Sequence, residues 1–215
     1  DLETNICHND FYSNFVPKSY KMIRNFLLFI FCFYSSPALS SELEKGMFAL
    51  EMKDYDRALY YLSFEAVQGN ATAQYNLGLM YKDGIGVDQN IEEALGWFTL
   101  GSDNGHMLSK YALGLLYCHG KGTRINFSKA MNLFFDASFM GHPASQINIG
   151  NMYYLGQGVG KNFSKAHMWW SIAKEKGVEA AFNNLIMIEN EMSESQIIEA
   201  QKQFNNCLKT TLTKC

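Results

Sequence analysis

The sequence carries little charge and no region where charge of one sign concentrates. Of its 215 residues 18% are charged, with 18 Lys and Arg against 21 Asp and Glu, and the net charge is −3. Binding to nucleic-acid phosphates requires a concentrated positive face. Because the sequence has no basic stripe, we expect no nucleic-acid partner. Its length suits one modest domain.

An apolar run long enough to span a membrane is also missing. The run from Phe26 to Tyr34 is shorter than the roughly 20 residues that a spanning helix needs. Its surroundings match a secretory signal peptide over residues 22–40, since Met22 opens a short basic start and Ala38 and Ser40 form a small-x-small cleavage site. We therefore expect a secreted or periplasmic protein with no stable membrane insertion after cleavage. An uncleaved N-terminal membrane anchor is the alternative.

Cysteine is scarce beyond this segment. Residues 1–21 precede the signal and are expected not to belong to the mature protein, which keeps Cys118, Cys207 and Cys215. An oxidising compartment favours a disulfide between Cys207 and Cys215, which are near each other in sequence. Two free thiols on a C-terminal tail are the alternative. Cys118 is expected to be a small buried residue.

Sequence motifs of catalysis are absent too. There is no nucleophile elbow, no paired carboxylates and no dinucleotide fingerprint in a suitable context. Cys118 and His119 could bind a metal, but no second pair of ligands stands at a metal-site spacing. His106 and His142 each follow a glycine that ends a repeat, and His167 is expected on the solvent side of a helix. The sequence therefore predicts no enzyme activity, no metal site and no cofactor.

What the chain does contain is a repeat of 36 residues, which relates Gly78, Gly114 and Gly150. A fixed period in this range is the signature of a solenoid. Since the recurring residues hold such a stack together, function is to be sought at positions that vary. The same period relates the other recurring residues: Tyr81, Tyr117 and Tyr153; Gly84, Gly120 and Gly156; Gly86, Gly122 and Gly158; Ala94, Ala130 and Ala166; and Gly105, Gly141 and Gly177.

The pattern of each unit predicts two helices. Ala73, Leu77 and Tyr81 lie on one face of a first helix, which ends at a Gly-x-Gly turn. Gly78 inside that helix costs about 1 kcal/mol against alanine, so we expect that the backbone of the partner helix approaches there. The second helices begin at in-phase capping residues, because Asp and Asn side chains accept the first free backbone N–H groups. These residues are Asp54, Asn90, Asn126 and Asn162.

These units predict an all-α fold, an α-solenoid of antiparallel helix pairs over residues 41–205 with a C-terminal capping helix. Ser41 and Ser193 each start a helix with a capping-box sequence. The first repeat is four residues shorter than the others, as is common for a terminal unit. The expected boundaries are repeats at 41–69, 70–105, 106–141 and 142–177, a cap at 178–205 and a tail at 206–215.

These residues resemble the Sel-one-like repeat family, relatives of the tetratricopeptide repeats. The family pattern A-x-x-x-L-G-x-x-Y-x-x-G-x-G-V is matched from Ala73 to Val87, and K-A-x-x-W from Lys165 to Trp169. The resemblance covers roughly residues 46–205. It implies a non-enzymatic adaptor that binds a protein or peptide on a concave surface lined by the first helices. Recognition of cell-wall or saccharide ligands is the alternative function.

The resemblance also implies where the partner binds, namely at first-helix positions that vary and avoid the core. Tyrosine is a common anchor of interfaces. With little charge on this strip, we expect apolar and hydrogen-bonded contacts. The candidate residues are Tyr75, Leu79, Lys82, Tyr111, Leu115, Ile147, Asn151 and Tyr154.

Overall fold

The computed structural model of the protein describes residues 41–210, and in this range the chain forms ten α-helices and no strand. The predicted signal peptide, the upstream segment and Cys215 lie outside the described residues. None of the described helices has the length and the apolar character required to cross a membrane. The helices are α1 (Glu42–Glu51), α2 (Tyr55–Val67), α3 (Ala71–Asp83), α4 (Ile91–Asp103), α5 (Met107–His119), α6 (Phe127–Phe139), α7 (Pro143–Leu155), α8 (Phe163–Glu175), α9 (Glu179–Glu189) and α10 (Glu194–Lys209).

Helix pairs stacked in chain order confirm the predicted all-α solenoid. The closest packing occurs within the pairs α1–α2, α3–α4, α5–α6 and α7–α8. Each second helix also packs against the first helix of the following pair. The buried apolar residues therefore lie between helices all along the stack, in three clusters, and no repeat buries its apolar face alone.

The predicted start signals are confirmed. Asp54, Asn90, Asn126 and Asn162 are the N-caps of α2, α4, α6 and α8. The side chain of Asn90 accepts hydrogen bonds from the backbone N–H groups of Glu92 and Glu93, both at 3.1 Å. Complete capping boxes are present at Ser41 and Ser193. These bonds satisfy N–H groups that have no partner within the helix.

The first helices α3, α5 and α7 end as predicted, at Gly-x-Gly turns. Gly84, for example, caps α3 in the left-handed conformation, with φ 68°. This region is open to glycine because it has no Cβ atom. The second glycine of each turn packs tightly against the preceding repeat, and a Cβ atom on Gly122 would lie 2.8 Å from Cγ2 of Ile91. The turns therefore also join neighbouring repeats.

The expected reason for the mid-helix glycines is wrong. An aromatic side chain of the second helix lies over them, where a backbone approach was expected. A Cβ atom on Gly78 would lie 2.5 Å from the ring of Phe98, and one on Gly114 would lie 2.6 Å from the ring of Phe134. Trp170 occupies the same place over Gly150. The absent side chain thus leaves room for one fully buried ring in each of these repeats.

The C-terminal end departs from the repeat pattern. Helix α9 takes the place of a further first helix, and α10 packs against α8, not against α9 in the manner of a regular pair. Helix α10 continues to Lys209, past the predicted end of the cap at 205, because its buried stripe extends that far. The stripe consists of Ile197, Ala200, Phe204 and Cys207, which belong to the core cluster of the last repeats.

Candidate protein-binding face

The candidate residues share one face of three first helices, because spacings of four and three residues place side chains on the same side of a helix. Seven of the eight are partly exposed, and Ile147 is buried. We call the seven exposed residues the first-helix face. They are Tyr75, Leu79 and Lys82 on α3, Tyr111 and Leu115 on α5, and Asn151 and Tyr154 on α7.

Ile147 does not avoid the core as expected, since only 2% of it is exposed. In the two preceding repeats a tyrosine stands at this position and is partly exposed. Isoleucine has no polar end and lies in the same core cluster as Trp170, whose indole Nε1 donates to the Ile147 carbonyl at 3.2 Å. The larger indole covers the position, so Ile147 contributes packing and no contact surface.

The tyrosines of the first-helix face are held between repeats. The ring centroid of Tyr75 is 5.9 Å from that of Phe98 and 4.9 Å from that of His106 in the next repeat. Tyr111 repeats the arrangement with Phe134 and, at 4.4 Å, with His142. Burial, with a smaller contribution from a nearby carboxylate, raises the pKa of Tyr75. Both rings are therefore positioned before any partner arrives.

The two histidines that begin repeats, His106 and His142, have a structural role that the sequence analysis did not predict. His106 and His142 are the N-caps of α5 and α7. Nδ1 of His142 accepts a hydrogen bond from the Ser145 backbone N–H at 3.2 Å and lies 3.0 Å from the Ser145 hydroxyl. His106 makes the same contacts with Ser109. The repeated His-x-x-Ser spacing at a helix start is the signal that could have revealed this.

Accepting this bond requires that Nδ1 carry no proton. Burial disfavours the charged imidazolium and lowers the pKa of His142 to about 4. Burial also lowers the pKa of His106. The ring that caps each helix and contacts the tyrosine of the preceding repeat is therefore neutral at pH 7.

A polar network closes the C-terminal end of the face. Nε1 of Trp170 donates to Oδ1 of Asn151 at 3.1 Å, and the Asn184 amide donates to the same oxygen at 3.4 Å. The Tyr154 hydroxyl donates to a carboxylate oxygen of Glu191 at 2.8 Å. Burial and this hydrogen bond raise the pKa of Tyr154. At this end the face is therefore ordered by contacts with α8, α9 and the segment that follows.

The expectation that His167 faces solvent is wrong. Only 5% of the residue is exposed, and its Nε2 lies 2.8 Å from a carboxylate oxygen of Glu189. The cause is α9, which packs along α8 and covers the side chain. His167 fixes the cap to the last repeat and lies apart from the first-helix face.

The described residues hold no group of three or more His, Cys, Asp or Glu side chains that could bind a metal ion. Cys118 is 6% exposed, so its predicted burial is confirmed. Cys207 is 1% exposed and disulfide-bonded. Its predicted partner Cys215 lies outside the described residues, and this pairing stays a prediction.

The N-terminal end of the stack forms an open groove of about 610 Å³. Phe48 and Met52 line it and are 63% and 62% exposed. The position of Phe48 corresponds to Met80 in the next repeat, which is buried at 1%. The difference arises because the described part of the chain has no repeat before α1. Lys45 and Arg57 at the rim form ion pairs with Glu42 and Asp54.

Comparisons with known proteins agree with this architecture. The sequence profile of the Sel1 repeat matches residues 39–63, 71–106, 108–138 and 143–178. The chain is similar to the protective antigen of uropathogenic Escherichia coli that displays an SLR fold, with 30% identity and a TM-score of 0.65. That similarity covers 67% of this chain but only 32% of the antigen.

A Sel1 repeat protein from Oxalobacter formigenes is similar as well, with 30% identity and a TM-score of 0.56 over 60% of this chain and 97% of that one. Among curated proteins, none matches the chain.

Proposed function

Because this chain belongs to the Sel1 repeat family, whose members generally bind other proteins, we propose that it is a non-enzymatic scaffold that binds a partner protein or peptide. The partner lies along the concave side of the solenoid, on the first-helix face. The observation that carries the proposal is the row of partly exposed side chains on three consecutive first helices, whose chemistry changes along the stack from Leu79 and Leu115 to Asn151 at one equivalent position.

Preorganisation supports this assignment. Binding costs free energy for each mobile side chain that becomes ordered, about 0.5–1.5 kcal/mol per residue. Tyr75 and Tyr111 are already packed against a ring and a capping histidine. Tyr154 is already hydrogen-bonded to Glu191. These three anchors therefore lose little conformational freedom when a partner binds.

The chemistry of the face fits a partner with mixed apolar and hydrogen-bonding groups. Leu79 and Leu115 supply apolar surface between the tyrosines. Lys82 is the one charged residue among the seven, and its ammonium group lies 3.4 Å from the Asp83 carboxylate. A strongly charged ligand therefore meets few complementary groups, whereas a segment with apolar side chains and free backbone amides meets many.

We further propose that the scaffold acts in a secreted or periplasmic setting. The support is the signal-peptide pattern at 22–40 together with a disulfide at Cys207, which suits an oxidising compartment. Intact-mass analysis of protein recovered from the cell envelope and from the medium tests this point. A chain that begins at Ser41 agrees with cleavage, and a membrane-bound chain that retains residues 22–40 indicates the anchored alternative.

Affinity capture with matched variants tests the scaffold function. The secreted or periplasmic fraction is the source of ligands, and each immobilised protein is incubated with it. The proteins compared are wild type, the variant Leu79→Ser/Leu115→Ser and the control variant Leu100→Ser. Leu100 is 47% exposed on a second helix, away from the first-helix face. We expect a protein that wild type and the control retain and the double variant loses by at least about tenfold.

Thermal unfolding of all three proteins separates loss of binding from loss of fold. Equal retention of that protein by the double variant and wild type contradicts the assignment of the face. Capture of cell-wall saccharides in place of any protein contradicts the scaffold function and favours the alternative.

A further inference from the structure

Equivalent positions on the outward-facing side of successive second helices, here called a register, differ in exposure along the stack. Tyr60 in α2 corresponds to Met168 in α8, and Phe64 corresponds to Ile172, at three times the repeat period. Tyr60 and Phe64 are 70% and 53% exposed, while Met168 and Ile172 are 1% and 2% exposed. The same helix face is thus open in the first repeat and covered in the last.

Helix α10 is the element that covers this face in the last repeat. The equivalent positions of the middle repeats, Gly96, Leu100, Asn132 and Asp136, are exposed although a repeat flanks them on each side. Neighbouring repeats therefore do not bury the register. Helix α10 packs on α8, and the Ser164 hydroxyl donates to the backbone carbonyl of Gln196 at 3.2 Å. The protein itself shows that an amphipathic helix fits this face.

In the first repeat the corresponding residues form an exposed apolar stripe. Tyr60, Phe64 and Val67 follow the i, i+4, i+7 spacing of one helix face, and Val67 is 73% exposed. We call these three residues the α2 stripe. Contiguous apolar surface of this kind marks interaction sites in soluble proteins. Among the second helices of the described chain, α2 carries on this face two aromatic side chains that are more than half exposed.

The opposite face of α10 offers a complementary surface. Its buried stripe faces α8, while Ile198 on the other side is 58% exposed. Lys202 and Lys209 lie on that side, at helical spacings of four and eleven residues from Ile198. We call Ile198, Lys202 and Lys209 the α10 outer face. It joins apolar contact area with two ammonium groups.

The charges of the two surfaces match in one orientation. Asp56 precedes the α2 stripe by one turn, and the neighbouring Arg57 is already paired with Asp54 at 2.6 Å. An antiparallel arrangement therefore places Asp56 near Lys209 and away from Glu194 at the start of α10. Lysine above an aromatic ring is a contact that this chain already uses, with Lys161 4.7 Å from the ring centroid of Phe163. Lys202 can make the same contact with Tyr60 or Phe64.

We propose that the α2 stripe binds the α10 outer face of a second copy of this chain. Helix α10 then lies between α8 of its own molecule and α2 of the neighbour, and both of its faces are covered. The two surfaces differ and lie at opposite ends of the stack, so the contact is heterologous. Such contacts extend into open head-to-tail chains unless the rotation closes a ring. This interface is separate from the first-helix face.

Sedimentation velocity of the full chain over a series of concentrations tests the proposal. We expect assemblies that grow with concentration for wild type and for the matched control Leu100→Asp. Phe64→Asp in the stripe and Ile198→Asp in the α10 outer face each block one side of the contact, so each variant alone sediments as a monomer. A mixture of these two variants forms a dimer and nothing larger, because one intact stripe meets one intact outer face.

A charge exchange supplies the second measurement. Asp56→Lys and Lys209→Glu each weaken association by at least about tenfold, and the double variant restores it. A wild-type protein that stays monomeric overturns the proposal, as do assemblies that Phe64→Asp leaves unchanged. A monomer whose melting temperature falls on Phe64→Asp also overturns it, since the stripe is then covered by another part of the same chain.

Discussion

Replacing Gly114 by alanine tests how the repeats are packed. The added Cβ atom would lie 2.6 Å from the ring of Phe134, which is fully buried. Overpacking a tight core costs about 1–3 kcal/mol, and we expect the upper end because the ring has no free space to move into. Alanine returns about 1 kcal/mol through its helix propensity. The net loss is therefore about 2 kcal/mol.

Gly96 provides the matched control. It is exposed in the middle of α4, and a Cβ atom there would meet nothing within 4 Å. Gly96→Ala should therefore stabilise the protein by about 1 kcal/mol. For a chain of this size these changes correspond to a fall in Tm of about 4–8 °C for Gly114→Ala and a rise of about 2–4 °C for Gly96→Ala.

Thermal unfolding followed by circular dichroism measures both shifts. Phe134→Leu in the Gly114→Ala background adds a direct check, because a smaller side chain relieves the clash and the two changes should cost less together than their sum. Equal stabilisation by both glycine replacements would refute the explanation that the aromatic ring requires glycine. Strict additivity of the double variant would refute it as well.

Two further predictions concern the polar contacts. The pKa of His142 in the folded protein, about 4, is below the ordinary value of 6.5, so the unfolded chain binds the proton more readily. Stability is then complete above pH 6.5 and falls by about 3 kcal/mol as the pH drops toward 4. His142→Asn keeps an N-cap and should flatten this dependence in urea unfolding at a series of pH values, and an unchanged pH profile would contradict it. Trp170→Phe removes the indole donor to Asn151 and to the Ile147 carbonyl and shortens a buried ring, so it should cost at least about 2 kcal/mol in the same assay, whereas no loss would show that these contacts are not stabilising.

Patterns within a few adjacent residues predict most of the repeat architecture. The period, the capping residues and the Gly-x-Gly turns each depend on a few adjacent residues, and all of them are found where they were expected. The capping histidines were missed because the usual N-cap residues are Ser, Thr, Asp and Asn. His106 becomes a cap through its Ser109 contact and its position against Tyr75 in another repeat.

The remaining differences depend on contacts between distant elements. Phe98 lies over Gly78 because of the relative axial position of two helices, which periodicity does not define. The burial of Ile147 and His167 follows from Trp170 and from α9, which pack on them from other helices. Likewise, the amphipathic pattern of α10 predicts a buried stripe but not that the stripe lies on α8.

Site-specific photo-crosslinking shows which face of the solenoid the partner contacts. A photoreactive amino acid replaces Leu79 or Leu115 on the first-helix face. Leu100 or Asn132 on the second helices is replaced in the control proteins. Each protein is then irradiated in the secreted or periplasmic fraction. We expect crosslinks from Leu79 and Leu115 to reach the same partner protein, and none from the control positions. Crosslinks to that protein from the controls alone, or saccharide adducts in place of a protein at Leu79 and Leu115, would rule out the first-helix face as the protein-binding surface.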